Sequence, residues 1–227
     1  MSWVKQTLGS TIGRKFLVSL TGLLLISFLL VHCIINSFAL ISPELYNDAG
    51  NFMGSNPFIS VVAKVLFAGI LVHVIVSAAL TVFNRKARGG NAYAVTGNNK
   101  KVKWASKNMG LLGSVLLLFI VGHLAHFWVR IQFTELPGEF MLADGHHNLY
   151  AMLREGYSHA WIVALYVISM IPLAYHLNHG FQSAFQTLGL NHKNYTPAIN
   201  AVGAAFSIVI PLLFAAVPLA FFFGVIS

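Results

Sequence analysis

Six histidines, His32, His73, His123, His126, His176 and His179, stand inside long apolar stretches of this 227-residue chain. Imidazole is the commonest protein metal ligand, and an ionisable side chain in apolar sequence costs enough to mark a functional site. The usual co-ligands are missing from the same stretches. A single cysteine, Cys33, excludes a CxxC metal or redox site and an intrachain disulfide, and no CxxCH is present to attach a c-type haem. Glu44, Asp48, Glu135, Glu139, Asp144 and Glu155, all of the acidic residues, fall between the apolar stretches, so a di-iron bundle lacks its carboxylates. Zinc wants four ligands converging at one point, and copper held by histidines alone has no supporting pattern. Facing pairs of imidazoles, the axial ligands of a six-coordinate haem iron, are the chemistry that histidine alone supplies.

The elements that must position these residues follow from composition. The chain is 57% apolar and 9% charged, against roughly a quarter charged for a soluble domain. Five stretches, 16–41, 58–83, 108–133, 158–186 and 198–225, reach the roughly 20 helical residues needed to cross a bilayer. The first is too long for a signal-peptide core and reads as a retained span. Pro172, Pro211 and Pro218 lie inside spans, where proline kinks more often than it breaks a helix. No alternating ten-residue strands of a β-barrel are visible. The expected fold is an all-α integral membrane protein: one membrane domain over residues 1–227, with four helices in a haem-binding bundle and the fifth flanking it. The connections, 84–107 and 134–157, are too short to fold independently.

Orientation follows from charge. Of 14 basic residues, all but Lys64, Arg130 and Arg154 lie before span one, between spans two and three, or between spans four and five. That side should be cytoplasmic by the positive-inside rule, which puts the N-terminus inside, the C-terminus outside and every acid on the outer side. The net charge of +8 is thus a matter of topology and gives no ground for nucleic-acid binding, since no recognition module accompanies it. The basic inner face suits docking of a soluble partner.

Counting from the cytoplasmic end of each span at 1.5 Å per residue, His32 lies roughly 24 Å and His123 roughly 22 Å deep, with His73 and His176 at roughly 15 to 16 Å. Two levels result, each holding one histidine from each of two helices. The expected arrangement is two stacked b-type haems roughly 8 Å apart along the membrane normal, the outer between His32 and His123 and the inner between His73 and His176. Hydrogen-bonded interhelical contacts are the alternative, but they would not require a histidine in each of the first four spans and none in the fifth. His126 and His179 follow His123 and His176 by three residues, about 60 degrees away around a helix. They are alternate ligands, or partners at the haem margin. His146, His147, His159 and His192 fall in loops or at span ends. Gly22, Gly69, Gly113 and Gly122 would admit a flat macrocycle close to the backbone, and equally serve helix packing.

These residues resemble a family. The segment HCIINSFALISPELYNDAGNFMGSNPF from His32, with GRKFLVSLTG before it and LVHVIVSAALTVFNRKAR, LLFIVGHLAHFWVRIQ and AYHLNHGFQSAFQTLG after it, is similar to the diheme cytochrome b anchor of succinate:quinone oxidoreductases and fumarate reductases. The version resembled is a single polypeptide with five spans, and the likeness runs over essentially the whole chain. The resemblance implies axial ligands pairing first span with third and second with fourth. FxxxH after Phe119 selects His123, and HxxxG before Gly180 selects His176.

The resemblance further implies a prokaryotic cytoplasmic membrane protein within respiratory complex II. A flavoprotein that interconverts succinate and fumarate, and an iron–sulfur subunit, would dock on the inner face, with a quinone of the menaquinone type near the outer surface. Glu44 is the expected proton donor to quinone, with Asp48, His126 and Tyr157 as further candidates. Haem propionates need cationic or hydroxyl partners. Arg130, Gln132 and Tyr157 lie at the outer level for this, and Ser183, Gln186, Asn84 and Arg85 at the inner. Two other functions share the histidine ladder: a haem b anchor of another respiratory complex or a stand-alone transmembrane reductase, and a non-redox transporter that uses histidines as proton relays.

Overall fold

The computed structural model describes residues 9–88 and 104–226. Among the described residues, seven helices carry the fold: α1 (Thr11–Phe38), α2 (Pro43–Ser55), α3 (Pro57–Arg88), α4 (Trp104–Phe133), α5 (Leu149–Tyr157), α6 (Ala160–Thr187) and α7 (Thr196–Phe222). The five long ones, α1, α3, α4, α6 and α7, are each long and apolar enough to cross a membrane. The basic residues Lys5, Lys100, Lys101 and Lys103 of the orientation argument lie outside the described residues.

Helix boundaries are set by capping chemistry, which hydropathy does not register. The first span begins at Thr11, ahead of the expected position 16, because the Ser10 hydroxyl accepts the Gly13 N–H at 3.0 Å and satisfies one of the orphan donors of the first turn. It ends at Phe38, short of position 41, because Ser42 and Pro43 open the next helix, with Ser42 accepting from Leu45 N at 3.0 Å. The second span starts at Pro57 and runs inward past position 83 to Arg88, so Asn84 and Arg85 are helical. The third is already helical at Trp104, where the described residues resume, four residues before position 108. At the far end of the chain, Gly189 and Gly224 take positive φ, 79° and 67°, just past α6 and α7, where the left-handed conformation closes a helix and a side chain would be strained. Pro172, Pro211 and Pro218 lie inside continuous helices.

Four of the spans close a ring. α1 packs along α3 and α6, and α4 packs along α6 and more lightly against α3. The remaining pairs, α1 with α4 and α3 with α6, face each other across the ring. α7 stands beside it on the α1 and α6 side, with Ser207 and Val217 at 2% and 3% exposure. Close approach of α6 and α7 depends on Gly203, where an added Cβ would lie 2.7 Å from the Phe181 ring. That is the small-residue device by which helices associate where lipid offers no hydrophobic drive.

The connections are more structured than their length implies. α2 and α5 cap the end of the bundle that the charge pattern assigns to the outside, called the outer end below, each short and joined side by side through amides. Asn47 Oδ1 accepts from Tyr150 N at 2.9 Å, Asn51 Nδ2 donates to the His147 carbonyl at 2.9 Å, and Asn148 caps α5 by accepting from Ala151 N at 3.1 Å. Beneath them lies the most closed packing in the protein, with Ala39, Tyr150, Leu153, Tyr157, Tyr166 and Phe221 in one cluster. This cluster therefore sits at the outer end of the bundle, and other buried residues such as Cys33 and Leu177 adjoin the histidines.

Candidate functional site

The two diagonals of the ring are where the histidines meet. His32 on α1 and His123 on α4 lie with ring centroids 5.9 Å apart and nearly perpendicular planes. His73 on α3 and His176 on α6 lie 6.5 Å apart. Each pair joins helices that face each other across the bundle, so the four imidazoles project into its interior. All four residues are half-buried.

Each ring is held by its own surroundings. His32 is stacked by Phe28 at 5.1 Å and flanked by Phe214 of α7 at 5.6 Å. Asn36 donates to the His32 carbonyl at 2.8 Å and stands 3.4 Å from both ring nitrogens, which is too long to fix a tautomer. His123 stacks on Phe119 at 5.8 Å, and its Nδ1 lies 3.2 Å from the Tyr166 hydroxyl.

The inner pair is more tightly specified. Thr21 Oγ1 lies 3.0 Å from His73 Nδ1 and donates to the Leu17 carbonyl at 2.7 Å. A hydroxyl has one proton, and this one is committed to the backbone, so the contact is assigned as His73 Nδ1–H donating to Thr21. His73 Nε2 is thereby left as a free lone pair. His176 has a buried Nδ1 with no hydrogen-bond partner among the described residues, a costly arrangement for a merely structural histidine. Gly22 and Gly113 back these two rings. A Cβ at Gly22 would sit 3.4 Å from His73 Cε1, and one at Gly113 would sit 3.7 Å from His176 Cε1. Gly69 instead is buried against Leu24 of α1, a helix-packing contact, and Gly122 is exposed with nothing within 4 Å; neither backs a ring.

Both pairs match the reach of one metal ion between two imidazoles, since two nitrogens about 2.0 Å from a shared ion put the ring centroids about 6 Å apart. No group of three or more His, Cys, Asp or Glu converges among the described residues, so the donor set is two separate nitrogen pairs. That is the set an axially ligated haem uses. His32, His123, His73 and His176 are thus the residues that fit such a group, and the glycines at the inner level keep side chains away from it.

The alternates sit differently. α4 departs from α-helical geometry immediately after His123, in a π-helical turn over Leu124–Val129, a rare geometry found frequently at functional sites. His126 lies in that turn, with its Nδ1 3.2 Å from the same Tyr166 hydroxyl and its ring against Gly156, where a Cβ would fall 2.6 Å from Cε1. His179 is half-buried one turn inward of His176.

Of the other expected site residues, Arg130 Nη1 pairs with Glu155 Oε2 at 3.0 Å and its guanidinium lies over the Phe140 ring at 5.3 Å. Ser183 and Tyr157 are half-buried and buried respectively, and Gln132 is exposed. Gln186 lines a small polar cleft at the inner ends of α6 and α7 with Gln182, Asn191 and Asn200. Glu44 and Asp48 are exposed on α2 at the outer end, one turn apart. Glu44 occupies the first turn, where a carboxylate is favoured by the helix dipole. Of the peripheral histidines, His146 pairs with Asp144 at 3.0 Å, His147 joins the α2–α5 amide network, and His159 stands at the N-cap of α6.

Thr21 and Tyr166 are the residues that sequence reasoning misses. Their hydroxyls lie at no characteristic spacing from the histidines they touch; only Thr21 has a local signal, adjacency to Gly22. No family model, no curated protein and no solved structure matches this chain.

Proposed function

We propose that this chain is the membrane anchor and electron-transfer subunit of a succinate dehydrogenase or fumarate reductase complex of the prokaryotic cytoplasmic membrane. The observation that carries the reading is the pair of imidazole diagonals: His32 facing His123 and His73 facing His176, at 5.9 and 6.5 Å, inside four apolar helices. His32 and His123 would hold an outer b haem, and His73 and His176 an inner one. When bound, such haems supply single-electron exchange at two depths between an iron–sulfur subunit on the inner face and quinone near the outer one. The choice of succinate and fumarate as the soluble partner's substrates rests on the sequence resemblance.

The chain's own residues do the rest. Thr21 fixes the tautomer of His73, and Phe28 and Phe214 clamp His32. Glu44, exposed at the outer end, would be the proton donor to a quinone, of the menaquinone type by resemblance. Arg130 and Ser183 stand at the outer and inner levels for propionate contact; at Arg130, this competes with Glu155.

The test is haem content and company. The complex purified in mild detergent should give two haem b per chain by pyridine haemochrome and carry a flavin-bearing and an iron–sulfur subunit. Absence of haem sinks every redox reading and leaves the histidine-relay transporter. Two haems with a different soluble partner would assign the chain to another respiratory complex.

A further inference from the structure

We propose that Tyr166 is a positioning residue for the outer histidine pair, ordering the hydrogen bonds so that His123, and not His126, presents Nε2 toward His32. The inference rests on the reading of the paired histidines as haem ligands and deepens it. Tyr166 stands on α6 at 7% exposure, and its hydroxyl lies 3.2 Å from Nδ1 of both His123 and His126. A phenol has one proton to give, and each neutral imidazole has one N–H. Among the described residues the Tyr166 hydroxyl has no other hydrogen-bond partner, so its proton goes to one of the two Nδ1 atoms and the other imidazole, meeting the same oxygen, donates; the two rings are then in opposite tautomers.

The rings around the site choose the order. His123 faces His32 at 5.9 Å, whereas among the described residues His126 makes no ring contact with another imidazole, and its Cε1 and Nε2 edge packs on Gly156. The order that leaves a lone pair on the nitrogen nearer the bundle interior is His123 Nδ1–H donating to Tyr166, with the Tyr166 O–H donating to His126 Nδ1. His126 is then the Nε2–H tautomer, unable to ligate a metal through that nitrogen while neutral. The two histidines are three residues apart, close enough on a helix surface to share one hydroxyl, and the π-helical turn begins between them at Leu124.

A ligand imidazole that donates its other N–H is more basic and favours the higher charge on the metal. Removing the acceptor should therefore raise the potential of the outer haem and leave the inner one unchanged. Tyr166→Phe keeps the edge-to-face ring contacts with Phe119 and Tyr157 at 5.1 and 5.4 Å, so the bundle should assemble. Redox titration of the two α-bands in the purified complex, with the low-spin EPR signals of the oxidised protein, reads the effect. One potential should move upward and one g-max should shift. An unchanged pair of potentials, or a downward shift, overturns the proposal. In a second arm, His123→Ala should lose one haem per chain and His126→Ala should lose none; the reverse overturns it independently of how Tyr166→Phe behaves. If the unmodified complex holds no haem, the failure is that of the proposed function.

Discussion

Thr21 holds His73 by its Nδ1 at 3.0 Å while sending its own proton to the Leu17 carbonyl at 2.7 Å. The pair lies between α1 and α3, so a hydroxyl on one helix fixes the tautomer of an imidazole on its neighbour. Carboxylate or carbonyl acceptors commonly do this for metal-bound histidines, and losing such a partner costs about 10- to 100-fold in metal affinity. Thr21→Val keeps the shape and removes the acceptor. Haem content of the purified protein should fall toward one per chain, or the inner haem should wash out at lower detergent challenge than the outer. Retention of both haems with unaltered spectra would show that Thr21 only ties its own helix.

The glycines divide by what faces them. Gly22 backs His73 at 3.4 Å and Gly113 backs His176 at 3.7 Å, counted from an added Cβ. Gly22→Leu and Gly113→Leu should each displace a ring of the inner pair and lower inner haem content. Gly122 has open space, so Gly122→Ala should leave both haems in place and stabilise the helix by up to about 1 kcal/mol. Spectra and melting curves of the three variants check the contrast, which fails if all three behave alike.

Register within HLNH provides a sharper comparison. His176 meets His73 ring to ring at 6.5 Å and has the buried Nδ1. His176→Ala should remove the inner haem, whereas His179→Ala should retain two per chain. Loss of haem from the second variant alone would reverse the assignment.

What was legible in the sequence depended on whether one fixed length decided it. His32, His73, His123 and His176 stand out because an ionisable group is conspicuous in apolar sequence, and their facing follows from depth because the helix rise is constant. Azimuth is what depth omits. Thr21 and Tyr166 became visible only once α1 lay against α3 and α6 against α4. The π-helical turn after His123 lies in LAHFWV, which carries no proline or glycine to announce it. Hydropathy also missed α2 and α5, which are too short and polar to register beside the spans, and it read the span ends too short on the inner side because helices continue to their caps. Level alone puts Arg130 near a propionate; the carboxylate that pairs with it, Glu155, comes from α5, which hydropathy does not distinguish from a loop.

That ion pair is itself testable. Arg130 and Glu155 are 28% and 43% exposed, so their contact should be worth no more than about 0.2–1 kcal/mol. Glu155→Gln should scarcely change thermal stability. If Arg130 also serves a propionate, freeing it from Glu155 should strengthen that contact and shift the outer haem potential, while Arg130→Gln shifts it the opposite way. Identical potentials in both variants would confine Arg130 to the surface pair.

The tyrosines of the outer cap give a pH dependence with a definite sign. Burial pushes the Tyr157 phenol well above its ordinary value, helped by the neighbouring Tyr166 and Tyr46, and burial pushes Tyr150 up as well. A phenol raised in the folded protein keeps its proton where the unfolded chain, near pH 10, gives it up. The stability it contributes is therefore complete below about pH 10 and drains away as the pH climbs toward the folded value. Melting temperature should fall above pH 10, and the phenolate absorbance of these residues should appear only with unfolding. Tyr157→Phe cannot ionise and should flatten that alkaline decline, at the cost of any bond its hydroxyl makes. An alkaline limb identical in the variant and the unmodified protein would place the loss elsewhere in the bundle.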